Sequence, residues 1–202
     1  MYSMAFVLPT SAGGFGFQAN YFGNSDYNES QLGIAYGKKL GGLIDIGVQF
    51  NYYDVRINGY GSASTINFEI AAMLHMTEKL HIGLHAYNPV GGKFGKNTDE
   101  KLASVFNVGA GYEASKQVFV SAEIVKEENK PVNVNAGLQY IFAKQFFVRS
   151  GIETQSTSPY AGVGLLWNSF RIDIAVSYHP QLGLTPGMLL IYQFNKKEEQ
   201  NQ

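Results

Sequence analysis

Residues 132–142 read VNVNAGLQYIF. Val132, Val134, Ala136, Leu138, Tyr140 and Phe142 fall on one side of an extended chain, and Asn133, Asn135, Gly137 and Gln139 on the other. Side chains alternate along a strand, so this pattern predicts a β-strand with one apolar and one polar face. A tilted strand needs about 9–11 residues to cross a bilayer, which is the length available here. The same pattern returns in 170–179, where Phe170, Ile172, Ile174, Val176 and Tyr178 oppose Arg171, Asp173, Ser177 and His179. It returns again where Ile44, Ile46, Val48, Phe50 and Tyr52 oppose Asp45, Gly47, Gln49 and Asn51.

Extending outward from these segments, period-two stretches run from end to end and no helical period competes with them. The expected strands are 2–8, 14–23, 30–38, 43–55, 63–76, 79–88, 102–114, 117–126, 132–142, 145–154, 159–167, 169–179 and 186–194, about thirteen in all. Short turns are expected at KKLGG (38–42), TEK (77–79), SK (115–116), AK (143–144) and NS (168–169). Between them stand longer polar segments: NSDYNES (24–30), RINGYGS (56–62), NPVGGKFGKNTDEK (88–101), KEENKP (126–131), TQSTSP (154–159) and HPQLGLTPG (179–187). Bacterial outer-membrane barrels combine short periplasmic turns with longer outer loops, and the two classes interleave here. A weak hairpin repeat accompanies them, as in LGIAYGKKLGGLIDIGVQFNYY and GVGLLWNSFRIDIAVSYH.

Composition agrees with this pattern. The chain has 202 residues, 14% of them aromatic and 15% charged, with 23 glycines. Soluble domains carry roughly 25% charged residues, so the surface of this chain is under-charged for water. Yet no apolar run approaches the roughly 18 residues of a membrane helix. Alternation of lipid-facing and lumen-facing residues accounts for both facts. The net charge of −1 gives no basic stripe, which excludes a nucleic-acid partner. The absence of cysteine excludes disulfides and thiolate metal or catalytic sites.

The expected fold is therefore all-β: an antiparallel meander forming a transmembrane β-barrel over 1–194, followed by a charged tail, 195–202. If strand 186–194 ends in the periplasm, counting back through the turns makes strand 2–8 run in the same direction. An even-stranded barrel with both termini inside then needs one more strand ahead of Met1, fourteen in total, and export needs a leader. Direct closure of strand 2–8 on strand 186–194 would make a parallel seam.

The expected inward face carries Asp45, Glu69, Glu123, Arg149, Glu153, Arg171 and Asp173, which fit either a selective constriction or an ion-paired plug of side chains; the near balance of signs favours the plug. Many other inward positions are glycine, among them Gly47, Gly83, Gly109, Gly111, Gly137 and Gly151, which leave room for a plug segment, a ligand or water. Four histidines are present: His75, His81, His85 and His179. His81 and His85 share a strand face but lie roughly 13 Å apart, too far for one ion, so they are expected to be polar lumen residues and no metal site is predicted. No GxSxG or comparable signature supports an enzyme. The loop 88–101 lacks the GxxxxGK[ST] order of a phosphate-binding loop, and no cofactor is expected.

GFGFQANYFGNSDYNESQLGIAYGKKL, LIDIGVQFNYY, HIGLHAYNPVGG and AVSYHPQLGLTPGMLLIYQF resemble the PorV/PorQ family of outer-membrane barrels. The resemblance covers nearly the whole chain and is most specific in the last two strands. It implies a fourteen-strand, FadL-like architecture and a non-enzymatic accessory or shuttle role in type IX protein secretion or surface attachment. The implied partners are membrane lipid and secretion-system proteins or secreted cargo. FadL-like members pass small hydrophobic molecules, which makes a transporter or channel the alternative. A soluble β-sandwich or adhesin is a third reading, and it would have to hide the apolar belt. No catalytic motif is matched in this sequence, so no functional residue is carried over, and the charged ending KKEEQNQ departs from an aromatic terminus at Phe194.

Overall fold

A computed structural model describes residues 1–92, 101–181 and 183–194. Every regular element among them is a strand: β1 (Tyr2–Thr10), β2 (Gly13–Gly23), β3 (Tyr27–Leu40), β4 (Ile44–Ile57), β5 (Gly61–His75), β6 (Leu80–Tyr87) and β7 (Val105–Glu113), then β8 (Val118–Glu127), β9 (Asn133–Phe142), β10 (Phe146–Glu153), β11 (Ser158–Trp167), β12 (Phe170–His179) and β13 (Gly183–Tyr192). They form one sheet whose spatial order is the chain order, an antiparallel meander of thirteen strands. All thirteen expected strands are present. The chain divides into two compact units, residues 1–109 with 125–131, and 110–124 with the segment from 132 onward.

In the first unit, registers run from Tyr2↔Tyr21 to Thr10↔Gly13 and from Ile44↔Leu74 to Ile57↔Gly61. In the second, Phe146↔Phe142 to Glu153↔Asn135 and Phe170↔Tyr192 to His179↔Gly183 define the ladders. The expected faces hold. Ile44, Ile46, Val48, Phe50, Val134, Leu138, Ile174 and Val176 are all exposed, and Ile172 is half-covered. Their alternates, Asp45, Gly47, Gln49, Asn51, Arg171 and Asp173, are half-covered or buried.

The connections correct the expectation of long outer loops. Strand pairing continues to Gly23↔Asn28, Ile57↔Gly61 and His179↔Gly183, so the segments read as loops at 24–30, 56–62 and 179–187 are mostly strand. Local hydrogen bonding explains the first case. Asn24 Oδ1 accepts from the N–H groups of Asp26 and Tyr27 at 2.9 and 3.1 Å, an Asx turn that lets β3 begin at Tyr27. Only 88–104 and 128–132 remain as longer connections, and residues 93–100 of the first lie outside the described residues, as does the tail 195–202. On the other side, Thr77 Oγ1 accepts from Lys79 and Leu80, and Ser115 Oγ accepts from Gln117 and Val118, so two turns use the same hydroxyl closure. The turn at AK is different: Ala143 and Lys144 both take left-handed conformations, φ 53° and 59°.

Candidate functional site

The polar face holds the buried side chains. Among the described residues the buried polar ones include Asn51, Thr65, Asn67, Asn88, Asn133 and Asp173, whereas the buried apolar side chain is Phe147. A buried amide must find partners, because an unpaired one costs its full desolvation. The network that results differs between the two units.

In the first unit Glu69 of β5 is the hub. Its Oε1 accepts from Asn51 Nδ2 at 2.7 Å and from Gln49 Nε2 at 3.3 Å, and its Oε2 lies 2.8 Å from His85 Nε2. Asn51, 1% exposed, also donates to Asn67 Oδ1 at 2.9 Å, and Asn67 donates to the Tyr87 hydroxyl at 3.0 Å. Gln49 reaches Gln18 on β2 at 3.3 Å, so the chain of amides spans β2 to β6. Toward one end of this face, Tyr27 and Tyr53 both donate to Glu29. Toward the other, Asp45 Oδ2 lies 3.1 Å from His75 Nε2, and His75 Nδ1 lies 2.9 Å from His81 Nδ1.

Asn88, fully buried, closes the base of the 88–104 connection. It sits at φ 48°, a left-handed conformation that asparagine tolerates better than most residues. Its Oδ1 accepts from Gly92 N at 2.9 Å, its Nδ2 donates to Leu102 O at 2.5 Å, and its carbonyl accepts from Ser104 Oγ at 2.7 Å.

In the second unit the charges concentrate on β10 and β12. Asp173 accepts from Arg149 at 2.9 Å and from Arg171 at 2.6 Å. Both guanidinium groups lie against the Phe147 ring, 4.5 and 4.8 Å from its centroid, a cation–π arrangement. Phe147 itself covers Gly164: a Cβ built there would stand 1.9 Å from Phe147 Cζ. Tyr160 covers Gly151 in the same way. Beside it Glu123, Asn135, Glu153, Ser121, Gly137 and Tyr160 line a cavity of about 260 Å³. Here Asn135 donates to Glu123 and Asn133 to Glu153, each at 3.2 Å.

All nine candidates, Asp45, Glu69, His81, His85, Glu123, Arg149, Glu153, Arg171 and Asp173, thus lie on the polar face. Parity alone left their partners open, and the structure supplies several of them. Arg149 and Arg171 share Asp173, while the donors to Glu69, Glu123 and Glu153 named above are amides and an imidazole. Register accounts for two of these: amides stand opposite Glu69 and Glu153, in the pairs Gln49↔Glu69 and Glu153↔Asn135. His81 and His85 have separate partners, His75 and Glu69. Sequence reasoning did not single out the network's Asn67, Asn88, Phe147 or Tyr87. Parity with Arg149 was the available signal for Phe147.

A second concavity, about 660 Å³, lies in the first unit beside the 11–12 turn. Its lining includes Val7, Pro9, Gly14, Gly16, Ala35 and Gly37, small or apolar residues of β1, β2 and β3. Among the described residues no group of three or more histidine or acidic side chains is arranged to hold a metal ion. No protein-family model and no curated protein matches the chain.

Proposed function

We propose that this chain is an integral β-barrel of a bacterial outer membrane, closed around its polar face, and that it serves as a non-enzymatic accessory or shuttle barrel in protein secretion or surface attachment. One observation carries the membrane assignment: burial is inverted. Asparagines and an aspartate are covered, while large apolar side chains such as Phe50, 63% exposed, and Ile174, 56% exposed, line the opposite face. In water such a face would be hidden against another layer. In lipid it is the favourable surface, and between neighbouring strands of the meander the ladders satisfy the backbone groups.

Support for the secretion role comes from the resemblance of HIGLHAYNPVGG and AVSYHPQLGLTPGMLLIYQF to PorV/PorQ barrels. Fractionation with the outer membrane, extraction only by detergent and heat-modifiable gel mobility are expected. A monodisperse monomer in detergent-free buffer would reject the membrane assignment in favour of a soluble sandwich or adhesin. Affinity capture from detergent extracts is expected to recover translocon components or secreted cargo; recovery of lipid alone would reject the shuttle role.

The 660 Å³ concavity, lined mostly by small or apolar residues with Lys38, Lys39 and Asp45 among them, favours a second reading, a FadL-like carrier of small hydrophobic molecules. Fatty-acid binding that is lost when Gly16 or Ala35 is enlarged to leucine would support the carrier over the shuttle.

A further inference from the structure

His75, at the end of β5, and His81, near the start of β6, stand directly opposite each other across the 76–79 turn. Their rings are edge-on, with planes at 78° and centroids 4.9 Å apart, and the two Nδ1 atoms face each other at 2.9 Å. Behind His75, Asp45 Oδ2 lies 3.1 Å from Nε2. A carboxylate only accepts, so His75 Nε2 carries a hydrogen and the Nδ1 of the neutral ring is a lone pair. That lone pair is aimed at His81. The side chains of His75 and Asp45 are each about one-third exposed, so a small ion can reach them.

From this geometry we propose that His75 and His81 form a two-imidazole chelate for a divalent transition-metal ion of the copper, nickel and zinc class, with Asp45 orienting His75 and water completing the coordination. Metal–imidazole bonds of about 2.0–2.1 Å place two adjacent nitrogens about 2.9 Å apart around a square or octahedral ion and about 3.3 Å apart around a tetrahedral one. The observed separation therefore suits a chelate without movement of the strands. The ion sits about 1.5 Å off the line between the nitrogens, so each ring turns by about 45° from that line to aim its lone pair at the ion. It replaces the single hydrogen the two Nδ1 atoms share. In the neutral pair that hydrogen is on His81 Nδ1 and moves to His81 Nε2, so coordination releases no net proton. A histidine whose far nitrogen donates to a carboxylate has a fixed tautomer and a more basic ligating nitrogen, the arrangement found behind metal-bound imidazoles. Among the divalent ions, copper is expected to bind most tightly. His85 stands outside the chelate because Glu69 holds its Nε2 at 2.8 Å. The site is independent of the membrane assignment.

The test is a titration of the full folded chain in detergent with Cu²⁺, read by calorimetry and by electron paramagnetic resonance. One ion per chain is expected, with hyperfine coupling from two imidazole nitrogens. The nitrogen count is taken on the unaltered protein, so it does not depend on any variant folding. His75→Ala and His81→Ala are each expected to weaken binding at least about tenfold, and Asp45→Asn about 10–100-fold with both nitrogens still coupled. His179→Gln, on β12, is expected to change nothing. Coupling to one nitrogen or none, or equal affinity in the His75→Ala, His81→Ala double variant, would overturn the chelate. Full affinity in Asp45→Asn would overturn the orienting role of the carboxylate.

Discussion

At the scale of single residues, large side chains rest on glycines along the polar face. Phe147 occupies the space above Gly164, and Asp173 Oδ1 would stand 2.7 Å from a Cβ there. Gly164→Ala is therefore expected to displace Phe147 and the two arginines stacked on it, at a cost of about 1–3 kcal/mol. Gly187 has open space around its Cβ position, so Gly187→Ala is the matched control and should shift stability far less. Thermal unfolding of both variants in the same detergent checks the difference; equal shifts would show that the Phe147 seat does not matter. The polar candidates were legible in the sequence because parity along a strand assigns a face. Their partners were not. Same-strand neighbours such as His81 and His85 attract notice by their spacing, yet on a strand they are roughly 13 Å apart, while a directly opposed residue is only about 5 Å away. His81 therefore meets His75, whose position opposite it depends on the register set by the 76–79 turn.

At the scale of elements, strand existence was legible throughout and strand ends were not. Alternation survives averaging over ten residues, as in β9 and β12, but an end is decided by one or two hydrogen bonds. Tyr27 and Asn28 read as loop because they are polar and follow Asn24 and Asp26; the Asx turn at Asn24 makes them strand. The turn at 143–144 offers a direct check of turn chemistry. Two consecutive non-glycine residues in left-handed conformations store strain, so Lys144→Gly is expected to stabilise the protein by about 1 kcal/mol. A melting temperature that falls instead would mean that Lys144 makes a compensating contact. On β12 the two faces can be compared within one strand. If the apolar face meets lipid, Ile174→Arg is expected to cost roughly 2–4 kcal/mol and Ser177→Arg much less, measured by reversible unfolding in bilayers. Equal costs would refute the assignment of faces.

At the scale of the whole molecule, aromatic side chains gather at the strand ends that carry the short turns. In the first unit Phe15 and Tyr36 pack with ring centroids 5.1 Å apart. In the second, Phe142 stacks on Phe146 at 5.8 Å, and Tyr192 packs against both Phe170 and Phe194 at 4.7 Å. Trp167, 63% exposed at the end of β11, stands opposite Phe170. Barrels in lipid place such residues at the level of the headgroups. Trp167 is the single tryptophan, so its fluorescence reports this level without labelling. If the apolar face meets lipid, reconstituted protein should be quenched most by lipids brominated near the headgroup and least by those brominated at the chain ends; the reverse order would contradict a headgroup level for Trp167. The nearest-neighbour order of the strands has a further consequence, for ancestry. Each hairpin brings its own register, its own two faces and its own turn. Duplicating or losing one hairpin leaves the ladders within the others intact and preserves the direction of every remaining strand. A lineage built this way changes size in steps of two strands, and its history is recorded in whole hairpins even where individual residues have diverged.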